Sequence, residues 1–184
     1  MIKIRTGLFE TNSSSVHAIA IEKSNNFTSI SVKYGMYDYS EVECTFAETL
    51  SIYPDAFYND FRLYTSPRSK LSYIYTASIL LDRENDFRKT LKWLKEDSIK
   101  YKFYEYRKTK KNPFNVYIDH YDYVDSKCKC VLEEFLNFVF SNKDIFYNFV
   151  FNDRSYIWTG SDGDPVIPYV YVDEDEYISF IKEN

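Results

Sequence analysis

Hydrophobic and polar residues alternate along the first part of the chain, as they do in strands that bury one face. Residues 2–5 (IKIR), 16–21 (VHAIAI) and 29–34 (SISVKY) each show this two-residue period, and Gly35 closes the third segment. A cluster of small hydroxyl and amide residues separates the first two segments, which is typical of a loop. The sequence therefore predicts a hairpin-like pair of strands, followed by a third strand.

A helical period replaces this alternation after residue 66. Ser66 and Pro67 together indicate a helix start, because serine side chains cap helix N-termini and proline fits the first helical position. Asp86 is predicted to cap a second helix in the same way. The apolar faces of the two helices are predicted to consist of Leu71, Ile74, Tyr75, Ile79 and Leu81, and of Phe87, Leu91 and Leu94.

The remaining segments include some with the two-residue period of strands and others with the helical period. A short apolar stretch at 46–52, ended by Pro54, predicts a helix, and the tail from Val166 is compatible with either a strand or a helix. A polar turn at 108–113 separates two alternating segments. Strands are predicted at 102–106, 114–118 and 155–159, and further helices at 130–140 and from Ser141 or Asn142 to Val150.

These elements together indicate the α+β class. We expect a single domain over residues 1–184, with an antiparallel or mixed sheet covered by three or four helices. The chain has no linker rich in Gly, Ser or Pro that would divide it. The candidate core residues are Ile4, Phe9, Ile19, Ile21, Leu71, Ile74, Leu91, Leu94, Leu132, Phe135, Leu136, Val139, Phe149 and Ile157.

The composition is unusual in its aromatic content. Aromatic residues make up 20% of the chain, with 19 Tyr and 15 Phe against 4 Gly. An AT-rich genome accounts for such an excess without any functional cause, since Tyr and Phe codons are AT-rich. Tyrosine also supplies rigid contact area at low entropic cost, so a tyrosine-rich binding surface is compatible with the same composition.

The charge and the apolar runs exclude some classes of protein. The formal net charge of −5 argues against a general nucleic-acid or anionic-membrane binder, because such proteins carry a basic field. We therefore expect no direct sequence-specific binding to nucleic acid, whereas a protein partner with a basic surface is permitted. No run of about 20 apolar residues is present, as a membrane span would need. Three cysteines cannot all pair, and the N-terminus lacks an apolar signal core, so we expect a cytoplasmic location in a bacterial host cell.

Residues 10–17 form the densest polar motif of the chain. The hydroxyl and backbone N–H groups of such a loop can surround an anion, and a serine can act as nucleophile where His17 takes its proton. No phosphate-binding glycine pattern and no strand–serine–helix elbow accompany the motif, so an internally hydrogen-bonded turn is the alternative. The candidate ligand-binding residues are Glu10, Thr11, Asn12, Ser13, Ser14, Ser15 and His17.

Three further groups are candidates by residue type. His120, Cys128 and Cys130 have zinc-binding side chains, but one residue between two cysteines is a tighter gap than zinc sites use. Residues 160–164 place carboxylates two apart without the other ligands of a calcium loop. We therefore assign no metal, no cofactor and no catalytic residue. A run of acids can also occupy a basic groove of a partner, and this candidate face consists of Asp173, Glu174, Asp175 and Glu176.

Residues 5–17, RTGLFETNSSSVH, resemble the N-terminal motif of a large set of proteins from bacteriophages and Gram-positive bacteria. Those proteins open with Arg-Thr, followed by a Phe-Glu-Thr-Asn-Ser-Ser-Ser stretch and a histidine. Shorter echoes lie at 66–70, 118–120 and 149–153. The resemblance implies an origin in a phage or another mobile element. Small accessory proteins of such origin often inhibit host defence, as anti-CRISPR proteins do, and this chain is similar to them in size.

The leading hypothesis is a non-enzymatic protein that binds and inhibits a host defence protein, such as a Cas nuclease. One alternative is a ligand- or nucleotide-binding enzyme that acts through the serine-rich motif. It requires the polar side chains of residues 10–17 to converge on a hollow. The second alternative is a structural or assembly protein of a virion, which would expose apolar patches and form symmetric oligomers.

Overall fold

The structure, a computed structural model, describes residues 15–23, 49–57, 62–107, 114, 116–118, 126–161 and 177–182. The strands predicted at 2–5 and 29–34, and the core candidates Ile4 and Phe9, lie outside these ranges. The described elements confirm the α+β class, with four helices beside one four-stranded sheet and two small strand pairs.

The main sheet is antiparallel throughout. It contains β1 (Ser15–Glu22), β4 (Arg62–Tyr64), β7 (Tyr156–Ser161) and β8 (Tyr177–Lys182), in the order β4-β7-β1-β8. Ile19 of β1 lies opposite Ile157 on one side and Phe180 on the other. The strands predicted at 16–21 and 155–159 are confirmed, and the C-terminal tail forms a strand at β8.

Two short strand pairs are parallel. The strand β2 (Leu50–Ile52) pairs with β5 (Tyr101–Phe103), and β3 (Ala56–Phe57) pairs with β6 (Tyr117–Ile118). The helix predicted at 46–52 is therefore wrong over its last three residues. The backbone N–H of Leu50 donates to Lys100 and that of Tyr104 donates to Ile52, so pairing with a distant segment overrides the local pattern.

The strands predicted at 102–106 and 114–118 are shorter than expected. The first begins one residue earlier and ends at Phe103, and only Tyr117 and Ile118 of the second are in a strand. Each of these strands has a partner of only two or three residues, and a strand extends only as far as its partner offers backbone groups.

The four helices are α1 (Pro67–Leu80), α2 (Glu84–Glu96), α3 (Ser126–Val139) and α4 (Lys143–Phe151). The predicted starts of α1 and α4 are confirmed. The Ser66 side chain accepts a hydrogen bond of 3.1 Å from the backbone N–H of Ser69, and Asn142 accepts one of 2.9 Å from Ile145. The helix predicted at 130–140 begins four residues earlier, at Ser126.

The predicted cap at Asp86 is wrong. Arg83 occupies the N-cap position of α2, and Asp86 lies within the first turn. There its carboxylate contacts the Arg83 Nε at 3.1 Å and the Lys89 Nζ at 2.7 Å. These cations hold the pKa of Asp86 below its usual value, with the Lys89 hydrogen bond as the largest cause. An acid in this position stabilises the helix through the N-terminal dipole and needs no capping geometry.

The helix α1 lies at the centre of the molecule. Ten consecutive residues, 70–79, are buried, which requires neighbours on every side of the helix. These neighbours are α2, α3, α4, β2 and β6. Two of its buried polar side chains are hydrogen-bonded: Thr76 exchanges hydrogen bonds with the backbone of Asp55, and the Ser78 hydroxyl donates to the carbonyl of Ile74.

Aromatic rings fill much of the core around α1. The ring of Phe135 meets those of Phe149, Phe180 and Tyr73 edge-on, with centroids 5.1, 5.6 and 6.3 Å apart. Such edge-to-face pairs are more stable than burial of the same area alone. Every predicted core residue that falls within the described ranges is buried: Ile19, Ile21, Leu71, Ile74, Leu91, Leu94, Leu132, Phe135, Leu136, Val139, Phe149 and Ile157.

We expect Ser66→Ala to lower the free energy of unfolding by about 1 kcal/mol, because it leaves a backbone N–H of α1 without its cap. Ser66→Asp keeps an acceptor oxygen and should retain most of the stability. Urea unfolding of the three proteins tests this. If the Asp variant were as destabilised as the Ala variant, the hydrogen bond would not be the cause.

Tyr75 is expected to contribute to the alkaline limit of stability. Burial raises its pKa above the ordinary value of 10.0, although a hydrogen bond from the backbone N–H of Tyr106 acts in the opposite direction. A raised pKa in the folded state favours the neutral phenol. The stability that the neutral Tyr75 phenol contributes is therefore fully present below the tyrosine pKa of the unfolded chain. It is lost as the pH rises through the higher pKa of Tyr75 in the folded protein.

The test compares wild-type protein with Tyr75→Phe, which cannot ionise. The free energy of unfolding should fall less steeply above about pH 10 in the variant, because the ionisation of Tyr75 no longer favours the unfolded state. Parallel curves for the two proteins over that pH range would contradict the expectation.

Candidate functional site

Most of the predicted loop and acidic-face residues lie outside the described part of the chain. These are Glu10, Thr11, Asn12, Ser13, Ser14, Asp173, Glu174, Asp175 and Glu176. Ser15 and His17 lie in β1, where Ser15 is opposite Ser161, and His17 is opposite Thr159 and Lys182. The end of the serine-rich motif is therefore part of the central sheet, and ligand binding by residues 10–14 stays a prediction.

The other predicted groups do not form a site within the described residues. Cys128 and Cys130 both belong to α3, and Cys130 is exposed. His120 and Cys44 lie outside the described residues. No group of three or more His, Cys, Asp or Glu side chains suited to a metal occurs in the part of the chain that the structure describes.

One cluster of buried polar side chains does occur, and it begins at Lys70. This lysine is fully buried in the first turns of α1. Its ammonium group donates to the carbonyl oxygens of Asn152 at 2.6 Å and Ser155 at 2.9 Å, and it lies 5.8 Å from the centroid of the Phe149 ring. A lysine held by two carbonyls fixes the backbone that leads from α4 into β7.

Glu22, at the end of β1, joins the same cluster with 2% of its surface exposed. One carboxylate oxygen contacts Arg154 Nη1 at 2.5 Å, and the other accepts from Asn152 Nδ2 at 2.6 Å. The Glu22 backbone N–H donates to the Ser155 hydroxyl at 3.1 Å, and Asn148 donates to the Glu22 carbonyl. Lys70, Glu22, Asn148, Asn152, Arg154 and Ser155 form what we call the Lys70 cluster.

The Lys70 cluster connects α1, α4, β1 and the turn before β7. Its polar groups bond to one another and to backbone atoms, which offsets the cost of removing them from water. Within the Lys70 cluster, only Arg154 is partly exposed, with 31% of its side-chain surface accessible. This arrangement favours a structural role, because a catalytic group needs an open face toward a substrate.

A second group of residues is accessible to solvent. Tyr53 follows β2 and Tyr104 follows β5, and their ring centroids are 6.3 Å apart. Phe114 stacks on Tyr53 with centroids 6.0 Å apart and lies 6.2 Å from Tyr104. All three rings are half-buried, so each one packs on a neighbour and also faces solvent. The exposed side chains of Arg68 and Lys102 complete what we call the Tyr53 surface.

The two cations of the Tyr53 surface lie over its rings. The Arg68 guanidinium is 5.0 Å from the centroid of Tyr53 and donates to the Tyr53 hydroxyl. The Lys102 ammonium is 4.9 Å from the centroid of Tyr104. Cation–π contacts at exposed sites stabilise by only about 0.5–1 kcal/mol, so they order the side chains while leaving the charge available.

The parallel pairing of β2 and β5 assembles this surface. Ile52 lies opposite Phe103 at the end of the pair. The residues that follow, Tyr53 and Tyr104, therefore lie side by side. The sequence interpretation did not identify these residues. The alternation of aromatic and charged residues at 102–107 was a usable signal for β5, but no local pattern links it to Tyr53, about fifty positions earlier.

No family model, curated protein or solved structure matches the chain. The fold and the Tyr53 surface are thus interpreted from their own geometry. Within the described ranges, no helix is long and apolar enough to cross a membrane.

We expect Lys70→Met to lower the free energy of unfolding by about 2 kcal/mol or more, because it leaves the buried carbonyls of Asn152 and Ser155 without their hydrogen-bond donor. Lys89→Met is the control: Lys89 is 69% exposed and pairs with Asp86 at the surface, so its change should stay within about 0.5 kcal/mol. Chemical denaturation measures both. Equal losses in the two variants would contradict the structural role of Lys70.

Proposed function

We propose that this chain is a non-enzymatic binding protein that docks on a host protein through the Tyr53 surface. The observation that carries the proposal is the grouping of three half-exposed rings with two exposed cations on one face. Tyrosine and arginine are the residue types most enriched among the side chains that dominate protein–protein affinity. Rings already packed against one another also lose little conformational freedom on binding.

The proposed partner is a host defence protein, for example a nucleic-acid-handling complex such as a Cas nuclease. The resemblance of residues 5–17 to proteins of phages and Gram-positive bacteria supports this choice, since accessory proteins of that origin act on host defence. Inhibition would then follow from steric occupation of the partner and would need no chemistry by this chain.

The proposal predicts that the rings of the Tyr53 surface dominate the inhibition. The chain is expressed in bacteria whose CRISPR–Cas system restricts a phage, and the efficiency of plating measures inhibition. Wild type should restore plating, and the double variant Tyr53→Ala/Tyr104→Ala should lose most of this effect. Loss of two such side chains typically weakens binding by about 100-fold or more.

Phe140→Ala is the matched control, because Phe140 is also half-buried beneath a cation, with Arg83 5.6 Å from its centroid, but it follows α3. This variant should inhibit as wild type does. Thermal unfolding must confirm that all variants fold. No effect of the wild-type chain on any defence system tried, or equal activity in all variants, would overturn the proposal. Loss of inhibition in a folded His17→Ala protein with Tyr53 intact would instead favour the enzyme alternative.

A further inference from the structure

The charges of the Tyr53 surface suggest which kind of partner segment it accepts. Arg68 and Lys102 are both exposed, and within the described ranges neither is in an ion pair with a carboxylate. Their contacts are to the rings of Tyr53 and Tyr104. Two full positive charges therefore remain on this face of a chain whose net charge is −5.

Two other cations near β5 differ in this respect. Arg88 contacts Phe103 in a similar way, with 5.3 Å to the ring centroid, but it is also bonded to the carboxylate of Glu105. Arg107 approaches the same carboxylate at 3.9 Å. Arg88 and Arg107 thus share one carboxylate, whereas Arg68 and Lys102 pair with none among the described residues.

We infer that the Tyr53 surface binds an acidic segment of its protein partner, with partner carboxylates on Arg68 and Lys102 and a planar or apolar side chain on the rings. The inference rests on the proposed function and adds the chemistry of the partner. A carboxylate pairs well with a cation that an aromatic ring already orients, because little side-chain freedom is left to lose.

Single-stranded nucleic acid is the other anionic partner that stacks on aromatic rings, and the geometry favours it less. Such binding relies on a basic groove that follows several phosphates. Among the described residues only two cations, Arg68 and Lys102, lie over the rings of this surface, and the net charge of −5 argues against a general nucleic-acid binder. Two separate cations are better matched by a peptide segment with a few carboxylates than by a continuous phosphate backbone.

Fluorescence anisotropy with three labelled probes tests the inference on the full-length chain. The probes are a peptide of alternating Glu and Tyr, its Gln-for-Glu counterpart, and a single-stranded oligo-dT of similar length. The Glu–Tyr peptide should bind most tightly. Arg68→Gln and Lys102→Gln should each weaken it about tenfold, as loss of one charge-assisted hydrogen bond implies. Lys89→Gln, which removes an exposed charge from the ion pair with Asp86, should leave it unchanged.

Three outcomes would overturn the inference: equal binding of the Glu and Gln peptides, preferential binding of oligo-dT, or no binding of any probe. The plating assay separates this failure from failure of the proposed function. If Tyr53→Ala/Tyr104→Ala abolishes inhibition while Arg68→Gln/Lys102→Gln retains it, the surface binds a partner that is not acidic. If both double variants retain inhibition, the surface has no role and both proposals fail.

Discussion

The burial of α1 on every side is the constraint on which the rest of the structure depends. A helix at the centre of a small protein needs neighbours in all directions, and here they come from three other helices and two of the short strands. A charged residue on such a helix needs partners inside the protein. Lys70 meets this need by holding the carbonyls of Asn152 and Ser155, so that the same contact that satisfies a buried charge also fixes the corner between α4 and β7.

That corner in turn orients the main sheet. The end of β1 enters the Lys70 cluster through Glu22, and Ser155 immediately precedes β7, the strand that pairs with β1. A shifted register of β1 would separate Glu22 from Asn152 and Arg154 and leave a buried carboxylate without partners. The helix layer and the sheet are thereby joined by directional bonds in addition to apolar packing.

The Tyr53 surface is a consequence of the same central helix. The strand β2 packs against α1, and its parallel pairing with β5 places Tyr53 beside Tyr104. Arg68, in the first turn of α1, reaches the same ring from the helix. The Tyr53 surface, with its aromatic rings and cations, therefore lies where the N-terminus of α1 meets the parallel pair of β2 and β5. Rigid support of this kind limits the conformational freedom that the rings could lose on contact with another molecule.

The sequence by itself determined the features that depend on near neighbours: the caps at Ser66 and Asn142, the alternation of β1, and the buried faces of the helices, including Phe135 and Leu136. Those signals are local because capping and amphipathic burial involve residues within a few positions of each other. Only the tertiary structure decided that Leu50–Ile52 is a strand, that Lys70 is buried, and that Tyr53 meets Tyr104. Each of these outcomes depends on a partner more than forty positions away, and the free energy of that contact outweighs the local preference of the chain.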